Sequence, residues 1–199
     1  MLQSPYIRNK GGIHIKTSSH KLLGIYLAET HLQRLPKRYI RAFLFGCTEP
    51  DRNPTTYLKG SLRCQWLRGH NWNNAQRYMA KLCHRLERRK NLKLRDYYAL
   101  GKLIHYIVDA FTSAHNDHFP WNLQGHRSYE KQLHIYFTAY LQRHRQPAAI
   151  SFLCAMDAIQ KYHKEYAQKP MHIHTDSQYS LLVSNIVICM LCPSFASVS

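Results

Sequence analysis

The chain has 199 residues, of which 45% are hydrophobic and 20% are charged, a composition that is ordinary for a globular protein and excludes a low-complexity polypeptide. Its charge balance is unusual, because 28 Lys and Arg residues stand against 11 Asp and Glu, for a formal net charge of +17. Such an excess favours anionic partners such as nucleic acid, phospholipid headgroups or other phosphates; the alternative is a surface that is basic only for solubility.

The first third of the chain is predicted to form two helices and a long loop. The start, MLQSPYIRNKGGIHIK, lacks the basic-then-apolar layout of a signal peptide, so we expect a cytoplasmic protein. Residues 17–19 (TSS) can cap a helix that continues to about Leu35, where Pro36 ends it. The segment PKRYIRAFLFG predicts a second helix that ends at Gly46. Residues 47–71 are rich in turn formers and predict the loop.

The remainder of the chain is predicted to be mainly helical. Helices are expected at about 72–91, 95–114, 126–144, from beyond Pro147 to about Tyr166, and from a cap near Thr175-Asp176-Ser177 to about Cys192. The last apolar run, at 180–192, is too short to span a bilayer. Since no segment shows sustained period-2 alternation, we predict an all-α fold that forms a single domain over residues 1–199.

Two histidine–carboxylate pairs at helical spacing suggest a metal site. His105 and Asp109, and likewise His126 and Glu130, are four residues apart and so share a helix face. His115 lies between the two pairs in the sequence. Nitrogen and carboxylate oxygen ligands in this mixture suit zinc, with manganese or iron as alternatives. A single pair of this kind is usually a surface pair or a buried polar group, and His134, four residues after Glu130, is an alternative partner for it.

The run His105-Tyr106-x-x-Asp109-x5-His115-Asn116, followed by His126-x3-Glu130, resembles the zinc-dependent phospholipase C family, which is related more distantly to the S1/P1 nucleases. The resemblance extends upstream to Ser18-Ser19-His20, Glu49-Pro50-Asp51 and Gly69-His70, and covers about residues 17–140. It implies a helical bundle that holds a cluster of zinc ions. Glu130 is closer to the phospholipase pattern, because the nuclease branch has an aspartate at the matching position.

The resemblance also implies a role for each matching residue. One zinc ion would be held by Asp51, His70, His105 and Asp109, and Asp109 would bridge to a second ion bound by His20. A third ion would be held by His115, His126 and Glu130, and Asp51 would serve as the general base. Secreted members of the family bind the ion at the first-helix histidine through an N-terminal tryptophan. Because no tryptophan lies near the start of this chain, we expect two or three zinc ions, with His14 as one alternative ligand for the third.

The loop between Asp51 and His70 is expected to contact the substrate. It carries four basic residues that can attract an anion, Arg52, Lys59, Arg63 and Arg68, although a solvated basic loop is the plain alternative. Tyr57 and Trp66 can line a substrate cleft, together with Trp72 and Trp121, unless these aromatic residues only pack in the core. The run HRLERRKNLKLR at 84–95 can meet an anionic membrane surface or nucleic acid, or is simply a charged helix end.

These observations predict a zinc-dependent phosphodiester hydrolase of the phospholipase C type, acting through metal-activated water. Divalent ions neutralise the charge on phosphate oxygens and lower the pKa of a bound water from 15.7 toward about 7. The expected substrate is a phospholipid or another phosphodiester. Two alternatives are a nuclease that acts on single strands, which the basic charge favours, and a non-catalytic basic binding protein stabilised by its metal.

Overall fold

The computed structural model describes residues 19–60, 62, 68–116, 119, 123–144 and 152–192, which form seven α-helices, two short 3-10 helices and no strand. The α-helices are α1 (Ser19–His31), α2 (Lys37–Arg52), α3 (Trp72–Glu87), α4 (Leu94–Ala110), α5 (Leu123–Arg143), α6 (Ala155–Tyr166) and α7 (Ile173–Leu191). The 3-10 helices are Pro54–Leu58, between α2 and α3, and Ser113–His115, after α4. The predicted all-α fold is confirmed.

Helix α4 is the centre of the bundle. Its residues from Leu103 to Ala110 are all buried, and it packs against α1, α2, α3 and α7. The apolar face of this helix is formed by buried side chains at helical spacing: Leu100, Leu103, Ile104, Ile107 and Val108. His105 and Asp109 are the exceptions in this segment, and both are almost completely inaccessible to solvent. A polar pair at the core of a bundle requires specific partners, which the neighbouring helices provide.

Helices α2 and α4 cross in close backbone contact at Gly46 and Gly101. A Cβ atom on Gly46 would collide with the carbonyl oxygen of Tyr98, and one on Gly101 would collide with that of Phe43. Only glycine on both helices permits this approach. It places the carbonyl of Cys47, one residue beyond the crossing, directly beside α4.

The predicted end of the second helix at Gly46 was therefore wrong. Helix α2 continues through Pro50 to Arg52, so Asp51 lies in its last turn rather than in a loop. The predicted loop at 47–71 is further shortened by the 3-10 helix Pro54–Leu58, which begins at a proline after the cap residue Asn53.

The helices after α2 lie close to where the periodicity predicts them, with shifted ends. Helix α7 begins at Ile173, and its N-cap is His172, whose side chain accepts a hydrogen bond from the His174 amide at 3.1 Å. The predicted cap at 175–177 was wrong, because Asp176 is fully buried and points into the protein. Within the part of the chain that the structure describes, no helix is long and apolar enough to cross a membrane.

Candidate metal centre

The carboxylate of Asp109 lies between four histidine rings. Its Oδ2 is 2.8 Å from His70 Nδ1 and 3.1 Å from His105 Nε2. Its Oδ1 is 3.2 Å from His20 Nε2 and 3.5 Å from His115 Nε2. Each oxygen thus faces a different pair of imidazoles, an arrangement that suits a carboxylate shared between two ions.

Four segments of the fold present His20, Asp51, His70 and Asp109. His20 is in the first turn of α1, Asp51 in the last turn of α2, and Asp109 in α4. His70 lies just before α3, where the Gly69 amide donates to the Tyr57 carbonyl at 2.9 Å. A side chain at Gly69 would collide with the backbone of Thr56, so this contact requires glycine and places His70 against the 3-10 helix. Asp51, which is 39% exposed, lies 3.6 Å from His105 Nε2 and 3.8 Å from His20 Nε2 at the outer side of the cluster.

The outer nitrogens of two histidines have hydrogen-bond acceptors that fix their ring orientation. His105 Nδ1 donates to the Cys47 carbonyl at 3.0 Å, so its Nε2 faces the cluster as a lone pair. His70 Nε2 lies 3.0 Å from Thr56 Oγ1, and that hydroxyl is 2.7 Å from the carbonyl of Pro50. Because the hydroxyl donates to the carbonyl, it accepts from His70, whose Nδ1 then also presents a lone pair to the cluster.

The resulting donor set fits a cation. The inward nitrogens of His70 and His105 are only 3.2 Å apart and share the Asp109 carboxylate, so three electron-rich groups converge on one point. His20 Nδ1 is buried and has no hydrogen-bond partner among the described residues. Nitrogen and carboxylate ligands with outer hydrogen bonds that orient them are characteristic of zinc sites.

Electrostatics of the buried cluster favour a charged Asp109. Burial alone would raise the pKa of Asp109, but His115, His105 and His20 hold it well below its usual range. Burial lowers the pKa of His20, yet the carboxylates of Asp109 and Asp51 outweigh it and raise the value to about 9. Burial and the neighbouring His20 lower the pKa of His105, which favours the neutral imidazole, the form that binds a metal.

A second group of candidate ligands adjoins the first. His115 Nε2 lies 3.4 Å from Glu130 Oε1, and His126 Nδ1 lies 3.6 Å from Glu130 Oε2. One ligand atom from each of these three residues lies within 4.8 Å of the others. His134, the alternative partner of Glu130 in the sequence, lies instead against α1, with its Nδ1 3.4 Å from Ser19 Oγ.

All eight candidate metal ligands from the sequence are thus brought together. They form three groups, and within each group the ligand atoms lie within 4.8 Å of one another. The first two groups share one residue, His105. The groups are His20, Asp51 and His105; His70, His105 and Asp109; and His115, His126 and Glu130. No pattern in the sequence indicated the outer partners Thr56 and Cys47, since a hydroxyl and a backbone carbonyl have no recognisable spacing.

The residues predicted to contact substrate have different surroundings. Tyr57 is partly exposed and stacks on the His70 ring with 4.5 Å between centroids. Arg68 is half-buried, and its charge contributes to a lowered pKa of His126, for which burial is the main cause. Trp66 lies outside the described residues. Lys59 contacts aromatic residues, donating to the Tyr106 hydroxyl at 2.7 Å.

A cleft of about 110 Å³ opens beside His115. Trp72 forms one wall and stacks on His163 with 3.7 Å between ring centroids and an interplanar angle of 9°. The His163 ring is held in place by Asn116, whose Oδ1 lies 3.2 Å from His163 Nε2. Lys169 also lines the cleft and supplies a positive charge.

The fold and these side chains define an all-helical protein with a candidate zinc cluster of the kind found in metal-dependent hydrolases. Residues 19–179 match the family model described as zinc dependent phospholipase C. The chain therefore belongs to the zinc-dependent phospholipase C family, as the sequence motifs predicted. No curated protein and no solved structure matches the chain.

Proposed function

We propose that this protein hydrolyses the phosphodiester bond between the glycerol and the phosphate of a phospholipid, with zinc as its cofactor. The observation that carries the proposal is the position of Asp109, whose two oxygens each face two histidine nitrogens within 3.5 Å. When bound, zinc would supply Lewis-acid stabilisation of negative charge on the phosphate and would lower the pKa of water. Membership of the family supports a phospholipid substrate.

The two aspartates of the cluster have exposures that suit different roles. Asp109 is 1% exposed, so it has no room to meet a substrate and its role is to hold ions. Asp51 is 39% exposed and within 3.9 Å of three histidine nitrogens, so its carboxylate can accept a proton from water at the surface of the cluster. In the reaction, the water oxygen bonds to phosphorus, the bond from phosphorus to the glycerol oxygen breaks, and the proton passes through Asp51 to the leaving oxygen.

The cleft beside His115 provides a place for the polar end of the substrate. One of its lining residues is a candidate zinc ligand, so a group bound there lies next to the cluster. The walls are formed by the stacked Trp72 and His163 rings, and Lys169 is available to a phosphate oxygen.

The test combines metal analysis with a lipid assay. Protein purified without a histidine tag or chelator is expected to contain two or three zinc ions and to release diacylglycerol from phospholipid vesicles. Asp109→Asn should lose at least one zinc ion and most activity, because an amide cannot replace a carboxylate shared by four imidazoles. The control is Asp96→Asn on the same helix, where the carboxylate pairs with Arg85 at 2.8 Å instead.

Single-stranded DNA serves as the second substrate in the same assay. Hydrolysis of DNA without release of diacylglycerol would replace the phospholipase proposal with the nuclease alternative. Zinc binding that stabilises the fold, without turnover of either substrate, would favour the non-catalytic binding protein. The family match and the described structure do not support nucleic acid or an anionic membrane surface as a partner.

A further inference from the structure

Asp176, in the first turn of α7, is a fully buried carboxylate that accepts four short hydrogen bonds. Its Oδ2 accepts from the Ser113 amide and the Tyr129 hydroxyl, both at 2.7 Å. Its Oδ1 accepts from the Ser113 hydroxyl and the Tyr166 hydroxyl, both at 2.8 Å. The sequence pattern had suggested only a helix cap at this position.

These four donors saturate the carboxylate. An ionised carboxylate offers about four acceptor sites, and each is used here. Burial raises the pKa of Asp176, and the hydrogen bonds from Ser113, Tyr129 and Tyr166 oppose this rise. Its position in the first turn of α7 also favours the negative charge, because the N-terminus carries the positive end of the helix dipole. Within the described residues Asp176 is held by these four hydrogen bonds and takes part in no ion pair.

Two of the donors are close neighbours of candidate zinc ligands in the sequence. Ser113 and His115 belong to the same short 3-10 helix, and Tyr129 directly precedes Glu130 in α5. Asp176 thus joins the two separate elements that present the group His115, His126 and Glu130. Its hydrogen bonds go to Ser113, Tyr129 and Tyr166 and to none of these ligands, as expected for a residue that acts through the backbone of its partners.

We propose that Asp176 is a positioning residue that sets the distance between His115 and the ligands on α5, and thereby the zinc affinity of this group. The inference rests on the zinc role proposed above. Loss of an outer hydrogen-bond partner of a metal site typically weakens metal affinity by about 10- to 100-fold. Asp176→Asn should be mild, because the hydroxyls of Ser113 and Tyr166 can turn round and accept from the new amide.

The sharpest test removes one hydroxyl from α5. Tyr129→Phe deletes a single hydrogen bond to Asp176, while Tyr136→Phe makes the same change seven residues along the same helix, where the hydroxyl lies 3.0 Å from His174 Nδ1. Zinc affinity is measured without substrate, by competition with a chromophoric chelator. His126→Ala identifies which step of the titration belongs to this group.

The relevant binding step is the one that is lost in His126→Ala. Tyr129→Phe is expected to lower the zinc affinity of this step by about tenfold, and Tyr136→Phe should leave that affinity unchanged. Asp176→Ala should lower the zinc affinity of the same step further, whereas Asp176→Asn should keep most of the wild-type affinity. Equal affinity of Tyr129→Phe and the wild type at that step would overturn the positioning role, even if Asp176→Ala fails to fold. A wild-type protein that takes up no zinc would instead overturn the proposed function.

Discussion

The buried ring of His163 should lower the free energy of unfolding of the protein in acid. This ring is 8% exposed, lies face to face with Trp72, and has its Nε2 occupied by Asn116. Burial lowers its pKa from 6.5 to about 4. Because the unfolded chain binds the proton at higher pH than the folded chain, the free energy of unfolding should fall as pH drops from 6.5 toward 4. At about 1.4 kcal/mol for each tenfold change in proton affinity, the loss is about 3 kcal/mol at pH 4.

The measurement is urea unfolding at several pH values for the wild type and His163→Phe, which keeps a stacked ring but cannot titrate. Zinc release in acid affects both proteins, so the informative quantity is the difference between their unfolding free energies at each pH. That difference should change by about 3 kcal/mol between pH 7 and 4 in favour of the variant. His144→Phe is the control, because His144 also stacks on a ring, that of Tyr140, but is exposed. A pH-independent difference for His163→Phe would refute the reasoning.

Two further predictions test the site and the helix crossing. His126→Ala should lower activity and the zinc affinity of its group by at least about 100-fold. His134→Ala should change both by less than about threefold, because the His134 ring contacts Ser19 instead. Metal analysis and the lipid assay measure both effects, and the reverse order would show that the wrong histidine had been paired with Glu130. Gly101→Ala should lower the unfolding free energy by about 1–3 kcal/mol, since its methyl group meets the Phe43 carbonyl, and an unchanged urea midpoint would contradict the close crossing.

Local spacing was sufficient to predict the pairs that lie on single helices. His105 with Asp109, and His126 with Glu130, share a helix face whatever the rest of the fold does. Helical periodicity likewise predicted α4, because its apolar residues recur at helical spacing along one face. Assignments of this kind depend only on residues within one or two turns of each other.

Contacts between distant segments were not visible in the spacing. His20 was placed in the cluster by a family motif alone, and its 3.2 Å approach to Asp109 depends on how α1 packs against α4. Gly46 was interpreted as a helix end, although its actual role is to let α4 approach α2. Asp176 had the sequence signature of a cap, and only the tertiary structure shows the three hydroxyls and the amide that bury it.

The candidate ligands span the chain from His20 to Glu130 and lie on four α-helices, α1, α2, α4 and α5, and on the short segments next to them. An ion that binds residues so far apart acts as a removable cross-link, closing loops whose ordering otherwise costs conformational entropy. Each bound ion would favour the folded chain by an amount that grows with the logarithm of free metal concentration. The ions proposed for the reaction would then also hold α1, α2, α4 and α5 together. The supply of metal would therefore set the stability of the folded protein as well as its activity.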